Sequence, residues 1–85
     1  MAIHSEPDPI LRVTIGSPVY TQNDERIGTV KELRGRAFKV GTPFLRRDFW
    51  LDADCVASAV PDAAVYLMVD KRGVEGRKLK APPSA

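Results

Sequence analysis

The chain has one cysteine and one histidine among 85 residues. A single thiol excludes an internal disulfide, and one Cys with one His cannot make a zinc ligand set. Net charge is also small: 13 Lys and Arg against 11 Asp and Glu leave +2. That is too little for a generic polycation on nucleic acid or anionic membrane. Long hydrophobic runs are missing, and none approaches the ~20 apolar residues that span a bilayer. Membrane insertion is therefore not expected. The opening "MAIHSEPDPI" has no basic stretch followed by an apolar one and does not read as a signal peptide. No G-x-x-x-x-G-K-[ST] phosphate loop occurs, and no cofactor is expected. These absences suggest a reducing, cytoplasmic setting. The length allows one domain, near the lower size limit of a self-supporting core.

The composition present is that of an ordinary globular protein, 44% hydrophobic and 28% charged. The charges fall in blocks. From Arg12 to Arg47 eight basic residues face three acidic ones, and Asp48 to Asp70 holds five acidic residues with no Lys or Arg. "KRGVEGRKLK" then sets five basic residues against Glu75. One basic and one acidic face are expected from this pattern.

Turn residues divide the chain into three. Pro7 and Pro9 among polar neighbours make 1–11 a flexible N-terminal arm. "APPSA" cannot continue a helix or a central strand, so 71–85 reads as a basic, Pro-containing tail. Between them, over 12–70, lie "SPVYT", "RIGTVKELR", "AFKVG", "RDFWLD", "CVASAV" and "AVYLMVD". These are short β-branched segments separated by turn signals, the pattern of an all-β domain. No stretch of about ten residues shows a helical stripe free of Gly and Pro. The expected class is mostly β: a single small, strongly bent β-barrel of about six short strands.

Spacing within the strands adds detail. Ile27 and Val30 stand three apart with Gly28 between them. A bulge at Gly28 would bring both side chains to one face and bend the strand. Phe38 and Val40 share a face with Lys39 opposite, and Phe49 and Leu51 read as core. Val65, Leu67 and Val69 share one face of the last strand, with Tyr66 and Met68 on the other. A strand apolar on both sides should be central or covered.

"GSPVYTQNDERIGTVKELRGRAFKV" and "RRDFWLDADCVASAVPDAAVYLMV" together resemble a PRC-barrel domain. This is the small β-barrel family of the photosynthetic reaction centre H subunit and ribosome maturation factors. Gly16, Val19, Ile27, Gly28 and Val30 carry the first part of the family pattern. Phe38, Val40, Phe49, Trp50 and Leu51 carry the middle, and Val65, Leu67 and Val69 the end. The resemblance spans roughly Arg12 to Asp70 and implies a stand-alone member. Departures occur at Asp24-Glu25, where the family usually has Asp-Gly, and at Leu51-Asp52, where stand-alone members often carry proline. The ribosome maturation factors also resemble a consensus of two tyrosines before Trp-x-Asp. Trp50-Leu51-Asp52 fits that motif, but Asp48 and Phe49 stand at the tyrosine positions.

"RRDFWLDADCV" concentrates whatever chemistry the chain has. Asp48 and Asp52 are four apart on a strand, roughly 13 Å, too far to share a proton or a metal. Asp52 and Asp54 alone would hold Mg²⁺ or Ca²⁺ weakly, so Asp52 reads as a turn or cap residue. Cys55 lacks a base, since the only His is His4 in the arm, and its acidic neighbours would raise the thiol pKa. It reads as a core residue. No catalytic residue and no metal ligand are assigned, and the chain is expected not to be an enzyme. "GVEGRK" has G-x-x-G spacing but lacks the flanking helices of a nucleic-acid clamp. Trp50 is either buried under the arm or the tail, or exposed beside Arg46 and Arg47 as a binding hot spot. The expected role is a protein-interaction module using Trp50, Arg46, Arg47, Arg34 and Arg36, and forming a homodimer. The alternative is an accessory RNA- or ribosome-binding protein using the Arg-rich hairpin and the basic tail.

Overall fold

A computed structural model describes residues 9–42 and 47–81. Six strands form one mixed sheet in the order β4-β3-β2-β1-β6-β5. They are β1 Pro18–Tyr20, β2 Arg26–Arg34, β3 Ala37–Gly41, β4 Phe49–Asp52, β5 Val56–Val60 and β6 Ala64–Leu67. β1 and β6 run parallel, and every other neighbouring pair is antiparallel.

The turns fall at residues that tolerate left-handed backbone. Asp24, Gly35 and Asp62 have φ of 63°, 59° and 61°. Each lies at a turn expected from composition. Pro61 and Asp62 join β5 to β6, where the Ala63 N–H donates to the Val60 carbonyl at 3.0 Å. Pro followed by a left-handed residue is the pattern of a type II turn.

Edge strands β4 and β5 are sequence neighbours, joined by the 3₁₀ turn Ala53–Cys55. Four Cα steps span roughly 14 Å at most. A flat six-strand sheet would hold its edges about 24 Å apart, so the sheet must curl. The expected closure into a barrel is not present, because β4 and β5 share no ladder. The outward backbone of β4 is bonded instead to Leu79. A 3₁₀ turn, Pro9–Arg12, packs beside β5.

The curl encloses the core. Val19, Val30, Phe38, Val40, Leu51, Val65 and Leu67 are all at most 1% exposed. Phe49 is buried with Leu51, as alternation requires. β2 carries the bulge that bends it. Val19 faces Gly28 and Tyr20 faces Arg26, so the extra residue is Ile27, one before Gly28. Val30 is fully inside, whereas Ile27 is only partly buried against the core. Gly28 serves close approach: a Cβ there would overlap the Gly41 carbonyl oxygen and lie 2.7 Å from Val40 Cγ1. A second irregularity, at Lys31, bends β2 again against β3.

Both ends of the chain contribute more than composition suggests. Ile10 and Val13 enter the core, so the far end of the arm is part of the domain. The tail is also ordered over its described part, with helix α1 at Lys71–Arg77. Asp70 caps α1 by accepting from the Gly73 N–H at 2.9 Å, and Val74 is 3% exposed. Two glycines in seven residues hide this helix from a propensity reading. Gly73 has a packing reason, since a Cβ there would stand 2.5 Å from Val69 Cβ. The Gln22 N–H donates to the Val69 carbonyl at 2.9 Å, and Lys71 pairs with Glu25 at 3.7 Å. Among the described residues, no helix is long and apolar enough to cross a membrane.

β6 lies inside the sheet, as its apolar character requires, but its outer face is open. Tyr66 and Met68 are 38% and 48% exposed. Tyr66 stacks on Tyr20 across the parallel pair, with centroids 5.6 Å apart.

Candidate interaction edge

The site begins with the alternation of β4. Phe49 and Leu51 point into the core, which turns Trp50 to the opposite face beside Lys39 of β3. Trp50 is nevertheless only 7% exposed. Its N–H donates to the Leu79 carbonyl and its carbonyl accepts from the Leu79 N–H, both at 2.9 Å. The Arg34 guanidinium stands 5.9 Å from the indole centroid, within cation–π range. Of the two placements open from sequence, the structure gives the buried one, and the described cover is the tail. The other placement, Trp50 exposed beside Arg46 and Arg47, is corrected by this burial.

The strap is short. Past α1, Lys78 crosses to β4, with its ammonium 4.5 Å from the Phe49 ring centroid and 2.7 Å from Glu75 Oε2. Leu79 makes the single β-bridge to Trp50. Pro82 and Pro83 follow in sequence and carry no N–H to extend a ladder. Lys78, Leu79 and Glu75 were missed by the sequence reading. Leu79, the one large apolar residue between two lysines, was the available signal.

The Arg-rich hairpin is less free than its composition implies. Arg34 pairs with Glu32 at 2.9 Å. Arg36 reaches Asp54 at 3.1 Å and Asp52 at 3.7 Å. Exposed pairs of this kind contribute little stability, but they lower the local positive charge. Arg47 is exposed just before β4, and Arg46 lies outside the described residues. The structure thus gathers Trp50 and Arg34 at β4, places Arg36 at the adjoining turn, and leaves Arg47 apart.

Asp52 caps the 3₁₀ turn, its side chain accepting from the Asp54 N–H at 2.9 Å. Among the described residues, no group of three His, Cys, Asp or Glu is placed to hold a metal. Cys55 is buried, and burial pushes its thiol pKa above the ordinary value. Asp52 and Asp54 push the same way, while Arg77 opposes them through a hydrogen bond and its charge. Gly73 and Gly76 of the G-x-x-G spacing both lie within α1 and form no clamp loop. A separate open cleft between β2 and β3, about 410 Å³, is lined by Arg26, Thr29, Lys31 and Thr42 over Gly28 and Gly41. No family model matches the chain, and neither a curated protein nor a solved structure matches it.

Proposed function

We propose that the chain is a non-catalytic interaction module of PRC-barrel-like architecture that binds protein through the outward edge of β4. The observation that carries this reading is Trp50 on an edge strand, covered by a single bridge to the chain's own tail. Edge strands pair readily with added strands, and Trp beside Arg is the usual composition of an interface hot spot. A curled sheet with its edges linked by three residues supports the barrel-like description. The non-catalytic part rests on what the reactive groups already do. The Cys55 thiol is buried with a raised pKa, and Asp52 is engaged as a cap.

The alternative, RNA or ribosome binding, draws support from the β2–β3 cleft, which among the described residues is lined by Arg26 and Lys31 and by no carboxylate. One experiment separates the two. A partner captured from native extract, with and without nuclease, is titrated against the full chain at low and high salt while backbone amide exchange is followed. The protein reading expects nuclease-resistant binding, weak salt dependence and new protection along β4. Loss on nuclease treatment with a steep salt slope, or protection confined to the cleft, would replace it with the nucleic-acid reading.

A further inference from the structure

We propose that the β4 edge takes an extended basic peptide with a central apolar residue, and that Lys78–Lys80 is its resident, displaceable occupant. This rests on the interaction reading above and names the partner's chemistry. The occupant defines the fit. Leu79 satisfies both outward backbone groups of Trp50, and Lys78 closes the face of Phe49 while pairing with Glu75. The site therefore offers a backbone edge, an aromatic face for a cation and a carboxylate.

The resident uses only part of this edge. Alternate residues of an edge strand turn their N–H and C=O outward, so the outward set continues from Trp50 towards Asp48, just ahead of the strand, while Asp52 already leads into the 3₁₀ turn it caps. The resident's ladder nevertheless stops at one residue. On one side Arg77, which would stand opposite Asp52, is the last residue of α1, and on the other the backbone bends at Lys80 and Ala81. An incoming strand that stays extended past this point gains hydrogen bonds that the bent tail does not make. The carboxylate of exposed Asp48 lies two residues from Trp50, on the face where alternate residues of an added strand would stand, while that of Asp52 is taken by the Asp54 N–H and Arg36. Residues next to the apolar one turn to the opposite face, as Lys78 does over Phe49, so a basic residue two places away is the one that meets Asp48. Release leaves the core intact, because α1 stays anchored by Val74 and its Asp70 cap.

The test uses the full chain and a labelled synthetic peptide copying residues 77–81. Leu79→Pro removes the N–H that the Trp50 carbonyl accepts. The emission of Trp50, the only tryptophan, should shift to the red, and the peptide should bind this variant about tenfold or more tighter than wild type. Bound peptide should restore the blue emission, and a peptide with Asp in place of its Leu should not bind. Should Leu79→Pro fail to fold, Lys78→Glu, which keeps the backbone and places a carboxylate beside Glu75, should give the same changes in smaller measure. Unchanged Trp50 emission in a folded Leu79→Pro, or equal affinity for wild type and variant, overturns the displaceable occupant. If the peptide binds neither protein while a captured partner still protects β4, the interaction reading stands and the basic–apolar specificity falls.

Discussion

Gly28→Ala adds one methyl group between β2 and β3, where its Cβ would overlap the Gly41 carbonyl oxygen. It would also stand 2.7 Å from Val40 Cγ1 and 3.2 Å from the Gly41 carbonyl carbon. Two of these three neighbours are backbone, so the clash is relieved only by moving β3 or by opening the β2–β3 ladder. Overpacking of this kind costs roughly 1–3 kcal/mol. In a domain of this length each kcal/mol is about 4–8 °C in Tm, so a fall of roughly 5–20 °C is expected. Gly76→Ala adds the same atom in α1, where nothing lies within 4 Å of the new Cβ. It removes a helical glycine and should gain up to about 1 kcal/mol, raising Tm by a few degrees. Thermal melts followed by circular dichroism read both. Equal Tm for Gly28→Ala and wild type would refute the close approach of β2 to β3 and the bend built on it.

Three further outcomes follow from the same contacts. The raised Cys55 pKa means the folded thiol keeps its proton where the unfolded thiol has lost it. Wild-type stability relative to Cys55→Ala should therefore be full below the ordinary thiol pKa of 9.0 and decline as pH rises through and above it; parallel curves in denaturant titrations would contradict this. Asp52→Ala deletes the cap on Asp54 and the Arg36 contact, and should cost about 1 kcal/mol by chemical denaturation. Self-association, if it occurs, should use Leu11, Ile15 and Val60, which are 73%, 62% and 48% exposed around the 3₁₀ turn packed on β5, in place of buried Trp50. Light scattering should then show a wild-type dimer that Leu11→Glu with Ile15→Glu converts to monomer, and a wild-type monomer would sink the dimer.

The strands were legible because their signals are local. "RIGTVKELR" and "AFKVG" match β2 and β3 residue for residue, since Asn, Asp and Gly mark their turns. The bulge was readable from the spacing of Ile27 and Val30, but its place was not. Whether the extra residue is Gly28 or Ile27 depends on Val19 and Tyr20 of the neighbouring strand. Thr21 was missed for a related reason. Its hydroxyl accepts from the Asn23 and Glu25 N–H groups at 3.2 Å each, and that loop geometry leaves no periodic trace. The β4 edge was half legible. Trp50 and Arg34 could be singled out by type, but the cover depends on a helix with two glycines and on one leucine among lysines. Tertiary contacts of Val74, Val69 and Leu79 hold that segment, and propensity does not report them.

The most direct measurement is amide hydrogen exchange at Trp50 and Leu79, whose N–H groups form the two described backbone hydrogen bonds between tail and sheet edge. If the strap covers a docking edge, both amides should open locally, exchanging well before Val65 and Leu67 and with little dependence on low denaturant. Protection at Trp50 should return when a strand occupies β4. Exchange of Trp50 and Leu79 only with global unfolding, at the same rate as the core strands, would contradict the account.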